Sequence, residues 1–257
     1  MTAAPARHVL VTRPAAQAAT WVAKLRERGI DAESLPLIEI AACADPSALR
    51  EAWAGLAGSR LVVFVSANAV LHFFAARPPD ASWPAGVEAG APGGGTAQAL
   101  RDAGVAVAAI VTPSADAAQF DSEALWDRLR GRDWRGARVL VVRGDGGRDW
   151  LADRLVEAGA SVEAVSAYRR VAPAFDGAAR ERLDAAIARA DSLWLFSSSE
   201  AIANLEQAAG AGRWQAARAI ATHPRIAARA RSLGFGVVVE TRPTFDEVVA
   251  CIQSIEP

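Results

Sequence analysis

Several residue types are scarce in this chain of 257 residues, and each scarcity excludes something. Cysteine occurs twice, at Cys43 and Cys251, far apart and without CxxC spacing. That rules against a disulfide framework, a thiolate zinc site and a dithiol redox motif, and both read as buried free thiols. The three histidines, His8, His72 and His223, are too dispersed to share a metal, so no metal site is assigned. No apolar run approaches the ~20 residues of a membrane span. The opening residues enter a strand directly, without a signal-peptide pattern, so a cytoplasmic protein is expected. A net charge of −1 gives no electrostatic support for a nucleic-acid partner. Lysine is almost missing. Of 28 basic residues only Lys24 is a lysine, and the rest are arginines. Coding bias, suggested also by the abundant alanine, is one reading. The other is that some arginines grip carboxylates with two parallel hydrogen bonds.

What is present is a chain 52% apolar, enough for one large or two small packed domains. The most informative stretch is 139–170. Val139-Leu140-Val141-Val142 reads as a buried strand, broken by Gly144, Gly146 and Gly147. An amphipathic helix follows with Leu151, Leu155 and Val156 on one face, and Gly159 stops it. Val162–Val165 reads as a second strand, and the unit closes on Tyr168-Arg169-Arg170. Strand, glycine turn, helix, strand is the unit from which parallel sheets are built. The N-terminus carries the same unit. Val9-Leu10-Val11-Thr12-Arg13 matches 139–143, and Leu25, Glu27, Gly29 and Glu33 match Leu155, Glu157, Gly159 and Glu163, at a constant offset of 130. An ungapped offset points to duplicated domains.

The remaining pattern fits an α/β fold. Arg60–Val65 is continuously apolar after its first residue, as in strands buried on both faces. It ends at Ser66-Ala67-Asn68, where a helix begins. Ser66 or Asn68 can cap that helix or meet a ligand, because open sheets bind ligands at the carboxyl ends of their strands. Gly93-Gly94-Gly95-Thr96 precedes a helix over 97–103, which suits an anion at a helix N-terminus. No Gly-Lys-Ser/Thr follows, so it is not a nucleotide P-loop. Val105–Val111 reads as a strand and Ser122–Arg130 as a helix. Ser192–Phe196, followed by Ser197-Ser198-Ser199, repeats the strand–serine–helix unit of 60–76. Ala219–Thr222 is a short strand ending at His223-Pro224-Arg225, 226–232 a helix, Val237–Glu240 a strand and Phe245–Ile252 a helix. Two extended segments, Pro36–Ile40 and Val165–Arg170, occupy equivalent places in the repeat, and paired they would form a two-stranded hinge between two similar parallel-sheet lobes with flanking helices.

In order and spacing, these motifs resemble the uroporphyrinogen-III synthase family. The resemblance rests on VLVTRP, PLIEI, FVSANAV, GGGTAQAL and SEALW, then on 139–170, FSSSEAI and HPRIAARARSLGF. It implies a swapped arrangement with 1–35 plus 172–257 in one lobe, 42–164 in the other, and 36–41 and 165–171 as hinge connectors. The implied reaction closes linear hydroxymethylbilane to uroporphyrinogen III. It loses water, passes through a spiro intermediate and inverts ring D, without cofactor or metal. The implied partner is therefore a small polycarboxylate tetrapyrrole substrate bound by a cytoplasmic monomer. Tyr168, the only tyrosine, matches the family's tyrosine here and is the expected general acid, with hinge packing as the alternative. Carboxylate binding is expected from groups at strand carboxyl ends: Arg13, Ser66, Asn68, Gly95, Thr96, Arg143, Gly144, Ser197, Ser198, Thr222, His223 and Arg225. Where the family often has Gly-Pro-Thr-Thr, this chain has His223-Pro224-Arg225-Ile226. Ile226 cannot donate a hydroxyl hydrogen bond, and Arg225 could replace it with a charge-assisted one. Two other readings are a non-catalytic two-lobed small-molecule binder and a nicotinamide dehydrogenase. The second is weakened by Asp149 at the third glycine position of a dinucleotide fingerprint.

Overall fold

The computed structural model describes residues 8–43, 45–146, 149–189 and 191–255. In chain order its elements are β1 (His8–Val11), α1 (Ala15–Glu27), β2 (Ala32–Ser34), β3 (Glu39–Ala42), α2 (Ser47–Ala54), β4 (Leu61–Phe64), α3 (Ala67–Ala75), β5 (Glu88–Gly90), α4 (Gly94–Asp102) and β6 (Ile110–Val111). They continue with α5 (Ser122–Leu129), β7 (Arg138–Gly144), α6 (Trp150–Glu157), β8 (Ser161–Val171), α7 (Gly177–Ala188), β9 (Ser192–Phe196), α8 (Ser199–Ala209), β10 (Arg218–Ala221), α9 (Pro224–Leu233), β11 (Val237–Glu240) and α10 (Phe245–Ser254). The chain divides into two compact units. Unit 1 takes the residues up to Glu39 and those from Val171 onward, and unit 2 takes Ile40–Arg170.

Unit 1 holds a five-stranded sheet of order β11-β10-β9-β1-β2, with every neighbouring pair parallel. Unit 2 holds a six-stranded sheet of order β3-β8-β7-β4-β5-β6, in which the pairs from β8 to β6 are parallel. Read outward, β11-β10-β9-β1-β2 and β6-β5-β4-β7-β8 are one topology used twice. In each, the strand order reverses at the centre, between β9 and β1 and between β4 and β7. The offset of 130 is therefore a property of the fold. Its glycines agree: Gly29 and Gly159, and Gly104 and Gly234, all follow helices at positive φ, where a Cβ is strained.

Both faces of each central strand are covered, which is why these strands are apolar at every position. In unit 2, Val62, Phe64, Leu140 and Val142 pack on one side with α3 and α4. Leu61, Val63, Val139 and Val141 pack on the other with α5 and α6. In unit 1, Val9, Val11, Leu193, Leu195 and Ile220 bury against α1 and α10. On the other face of that sheet Trp194 and Phe196 pack with Trp214 and Phe235, Trp214 stacked on Phe235 at 5.1 Å.

Several boundaries differ from the sequence expectation. Of 105–111 only Ile110–Val111 is strand. Val107–Ala109 makes a 3-10 turn, because β6 is an edge strand with a single neighbour and two paired positions suffice. β5 went unrecognised because its Glu-Ala-Gly sequence has almost no strand propensity, and its place is set by pairing with β4 and β6. α4 starts at Gly94, three residues early. Residues 165–171 are the second half of β8, unbroken from Ser161, and β3 (Glu39–Ala42) is its neighbour. Cys43 is only partly buried, with its thiol donating to the Ser166 carbonyl, whereas Cys251 is buried; both are free. Gly147, named above as a break after β7, lies outside the described residues.

A Cβ on Gly236 would stand 1.9 Å from the Gln215 carbonyl oxygen, a backbone atom that cannot rotate away. Gly236→Ala is expected to destabilise unit 1 by about 1–3 kcal/mol in urea unfolding. An unchanged midpoint would show that this close approach is not needed.

Candidate functional site

In open parallel sheets the helices leave to opposite faces where strand order reverses, and the carboxyl ends of the two central strands are left uncovered. In unit 2 those ends carry Ser66, after β4, and Gly144, the last residue of β7. Ser66 is the N-cap of α3. Its hydroxyl accepts the Ala69 N–H at 3.2 Å and lies 3.0 Å from the Tyr168 hydroxyl. Ser66 still has its own proton to give and a lone pair to offer, so the pair can run in either direction.

Tyr168 reaches Ser66 through an irregularity in β8. Arg143 pairs with Ser166, but Gly144 pairs with Tyr168, so Ala167 is the extra residue of a β-bulge. A regular strand would send Ala167 and Tyr168 to opposite faces. The bulge lets both turn inward, and Tyr168 is only 3% exposed. A Cβ on Gly144 would come within 2.8 Å of the tyrosine ring, so glycine is required for the ring to lie across the end of β7. The backbone of Asp145 donates to the Tyr168 carbonyl at 2.9 Å, and the Asp145 carboxylate accepts from the Arg170 N–H at 2.8 Å. The ring stacks on His72 of α3, centroids 5.7 Å apart at 26°. Burial lowers the His72 pKa from its ordinary 6.5.

Other predicted residues of unit 2 flank this centre. Arg143 is ion-paired to Asp149, which sits at the N-cap position of α6. Asn68 is partly exposed in the first turn of α3. Gly95 and Thr96 lie in the first turn of α4, Gly95 exposed and Thr96 buried. No side chain caps α4, and the Cβ positions of Gly93, Gly94 and Gly95 face open space. First-turn N–H groups bare of side-chain acceptors are suited to an anion.

Unit 1 repeats the arrangement at the ends of β9 and β1. Ser197 and Ser198 follow β9, and Ser198 caps α8 by accepting the Glu200 N–H at 3.2 Å. Thr222 follows β10, buried, with its N–H on the Phe196 carbonyl. His223 caps α9, with Nδ1 accepting the Arg225 N–H at 3.1 Å. Arg225 is exposed in that first turn, and Ile226 is core, which accounts for an apolar residue there. Arg13 follows β1, with its guanidinium 4.3 Å from the Trp21 ring centroid. Burial lowers its pKa from 12.5 to about 10.

The twelve binding candidates and Tyr168 thus separate into six in unit 1 and seven in unit 2. Sequence reasoning missed His72, Asp145 and Asp149 as members of the site, and Thr12, whose hydroxyl donates to the Leu195 carbonyl at 2.8 Å and ties β1 to β9. Nothing in their local sequence marks them.

The profile of the uroporphyrinogen-III synthase HemD family matches residues 19–250. The chain belongs to the uroporphyrinogen-III synthase family. Among curated relatives, the uroporphyrinogen-III synthase of Salmonella typhimurium is 34% identical over 176 residues, 66% of this chain and 68% of that protein. That of Escherichia coli K12 is 33% identical over the same shares. Among solved structures, a mutant uroporphyrinogen III synthase of Thermus thermophilus aligns with a TM-score of 0.61 at 20% identity, covering 96% of this chain and 98% of that one. The Helicobacter pylori uroporphyrinogen-III synthetase aligns with 0.59 at 14%, covering 96% and 99%. At these identities the two structures speak for the fold alone. Nothing favours the dehydrogenase or binder readings over membership of the uroporphyrinogen-III synthase family.

Two expectations follow for the only tyrosine, which gives one ring resonance in a 13Cζ-tyrosine-labelled sample. Gly144→Ala and Ser66→Ala should each shift it, the first by displacing the ring and the second by removing the hydroxyl partner. An unmoved resonance in both contradicts the packing described. His72 should titrate below 6.5 by NMR. Because the folded state binds that proton less well than the unfolded chain, the shift costs stability as pH falls through 6.5, and the cost is absent above it. A midpoint at or above 6.5 would contradict the desolvation.

Proposed function

We propose that this chain is the carbon–oxygen lyase that closes hydroxymethylbilane to uroporphyrinogen III with loss of water and inversion of ring D. The observation that carries this reading is membership of the uroporphyrinogen-III synthase family over residues 19–250. The chemistry asks for little beyond orientation. The substrate is a flexible polycarboxylate, and holding one productive conformation converts an improbable ring closure into a favoured one.

Tyr168 is proposed as the general acid. Its phenol gives a proton to the departing hydroxyl group, which leaves as water, and the terminal carbon becomes the electrophile that ring D attacks. The Ser66 hydroxyl, 3.0 Å away and partly exposed, can donate to the phenol oxygen and so leave the phenol's own proton for the leaving group. The carboxylates are proposed to bind Arg13, Ser197, Ser198, Thr222, His223 and Arg225 of unit 1. In unit 2 they bind Asn68, Gly95, Thr96, Arg143 and Gly144 as well as Ser66. Bare N–H groups at the start of α4 and the arginines support this assignment, since both suit oxyanions. A monomer acting in the cytoplasm, without cofactor, metal or nucleic acid, completes the proposal. Among the described residues no helix is long and apolar enough to cross a membrane.

The test is incubation with freshly made hydroxymethylbilane, followed by oxidation and separation of the isomers. Formation of the III isomer above the spontaneous I isomer is expected. Formation of the I isomer alone would leave a non-catalytic binder. Tyr168→Phe should lower the rate of III formation by roughly a hundredfold, and unchanged turnover would remove the acid role.

A further inference from the structure

The duplication places two arginines at the same point of the fold, Arg13 after β1 and Arg143 in β7, 130 residues apart, each at a central strand's carboxyl end. Their surroundings differ. Arg143 is neutralised within the chain by Asp149, at the N-cap of α6. Arg13 has no ion pair with any described residue. The Nε of both arginines is inaccessible to solvent and meets no acceptor, so the difference lies in the ion pair; the Arg13 guanidinium lies 4.3 Å from the Trp21 ring centroid, and Trp21 is held edge-on by Phe245 of α10. The helix beside it, α1, begins at Pro14 with no side-chain cap and no acidic residue in its first turn.

A desolvated guanidinium without a counter-charge is costly, and natural proteins ordinarily pair or neutralise such groups. Here the cost is visible in the lowered pKa, and at pH 7, well below about 10, the group is charged and the cost fully present. With an indole against it, the guanidinium keeps its N–H donors as its binding surface. Unit 2 displays what such an edge takes at this point of the fold: a carboxylate lying at a helix N-terminus, supplied there by Asp149.

We propose that Arg13, stacked on Trp21 beside the uncapped start of α1, is the principal carboxylate clamp of unit 1, and that the substrate supplies to it what Asp149 supplies to Arg143. The two units thus play unequal parts in binding, one arginine engaging a ligand carboxylate unopposed and its repeat partner shared between the ligand and the chain's own Asp149. This rests on the polycarboxylate substrate proposed above.

The experiment measures binding of uroporphyrin III, a stable polycarboxylate, to the full chain by quenching of tryptophan fluorescence, together with the melting temperature without ligand. Arg13→Gln should raise Kd about ten- to a hundredfold, as expected for the loss of a charge-assisted bidentate contact. It should leave the melting temperature unchanged or raise it, because an uncompensated charge has been removed. Arg13→Lys, which keeps the charge but not the planar fork, should fall between. In turnover, Arg13→Gln should raise KM far more than it lowers kcat. A Kd within twofold of the parent would overturn the proposal. So would weaker binding accompanied by a lower melting temperature, which would assign Arg13 to packing on Trp21. The isomer assay on the parent chain separates the two claims. If the parent makes the III isomer and Arg13→Gln keeps its KM, only the clamp fails. If the parent binds the polycarboxylate through Arg13 but makes no III isomer, the clamp stands and the enzymatic reading falls.

Discussion

β1 hydrogen-bonds on both sides, to β2 and to β9, a strand that begins more than 180 residues later. The sheet of unit 1 cannot close without this pairing, because β1 is its second strand from one edge and joins β2 to the rest. The cost is entropic, since a very long loop must be closed before the contact is gained. What offsets it is burial on both faces: all four residues of β1 and all five of β9 are buried. Thr12 extends the pairing by one side-chain hydrogen bond to Leu195. Most of the intervening residues form unit 2, whose own sheet follows the same order without interruption. A duplicated fold has in effect been wound so that its first strand and helix belong with its last.

Strand order then decides where chemistry can sit. Each sheet reverses at its centre, and there two strand ends stand clear of crossover helices. Small local devices make the two places differ. In unit 2 a one-residue bulge and a glycine without room for a Cβ bring the only tyrosine onto a serine that also caps a helix. In unit 1 the corresponding ground holds a stacked arginine and serine, threonine and histidine groups at strand ends. In the proposed reaction, one place moves a proton and the other holds negative charge.

Much of this was legible in the sequence, for identifiable reasons. Strands buried on both faces leave unbroken apolar runs such as Leu61–Phe64 and Leu193–Phe196, and glycines required at positive φ survive duplication at fixed spacing, as Gly104 and Gly234 do. The family resemblance added the order of the motifs and the role proposed for Tyr168. What stayed hidden depends on neighbours, not on local composition. β5 exists because β4 and β6 lie beside it. The bulge at Ala167 is a mismatch between two strands that neither shows alone. The neutralisation of Arg143 requires Asp149 to fold back across the start of α6, whereas in the sequence Asp149 stands out only as a missing glycine. His72 offered no motif because a ring stacked on another ring imposes no sequence pattern.

The central proposal is that the carboxyl ends of the paired central strands, in each unit, receive the substrate. Hydrogen–deuterium exchange with and without uroporphyrin III tests it most directly. The account predicts slowed exchange at 12–17, 65–69, 94–97, 143–146 and 197–200, and none at the opposite strand ends, around residues 31, 60, 138 and 161. Protection confined to those opposite ends, or to one unit alone, would contradict it.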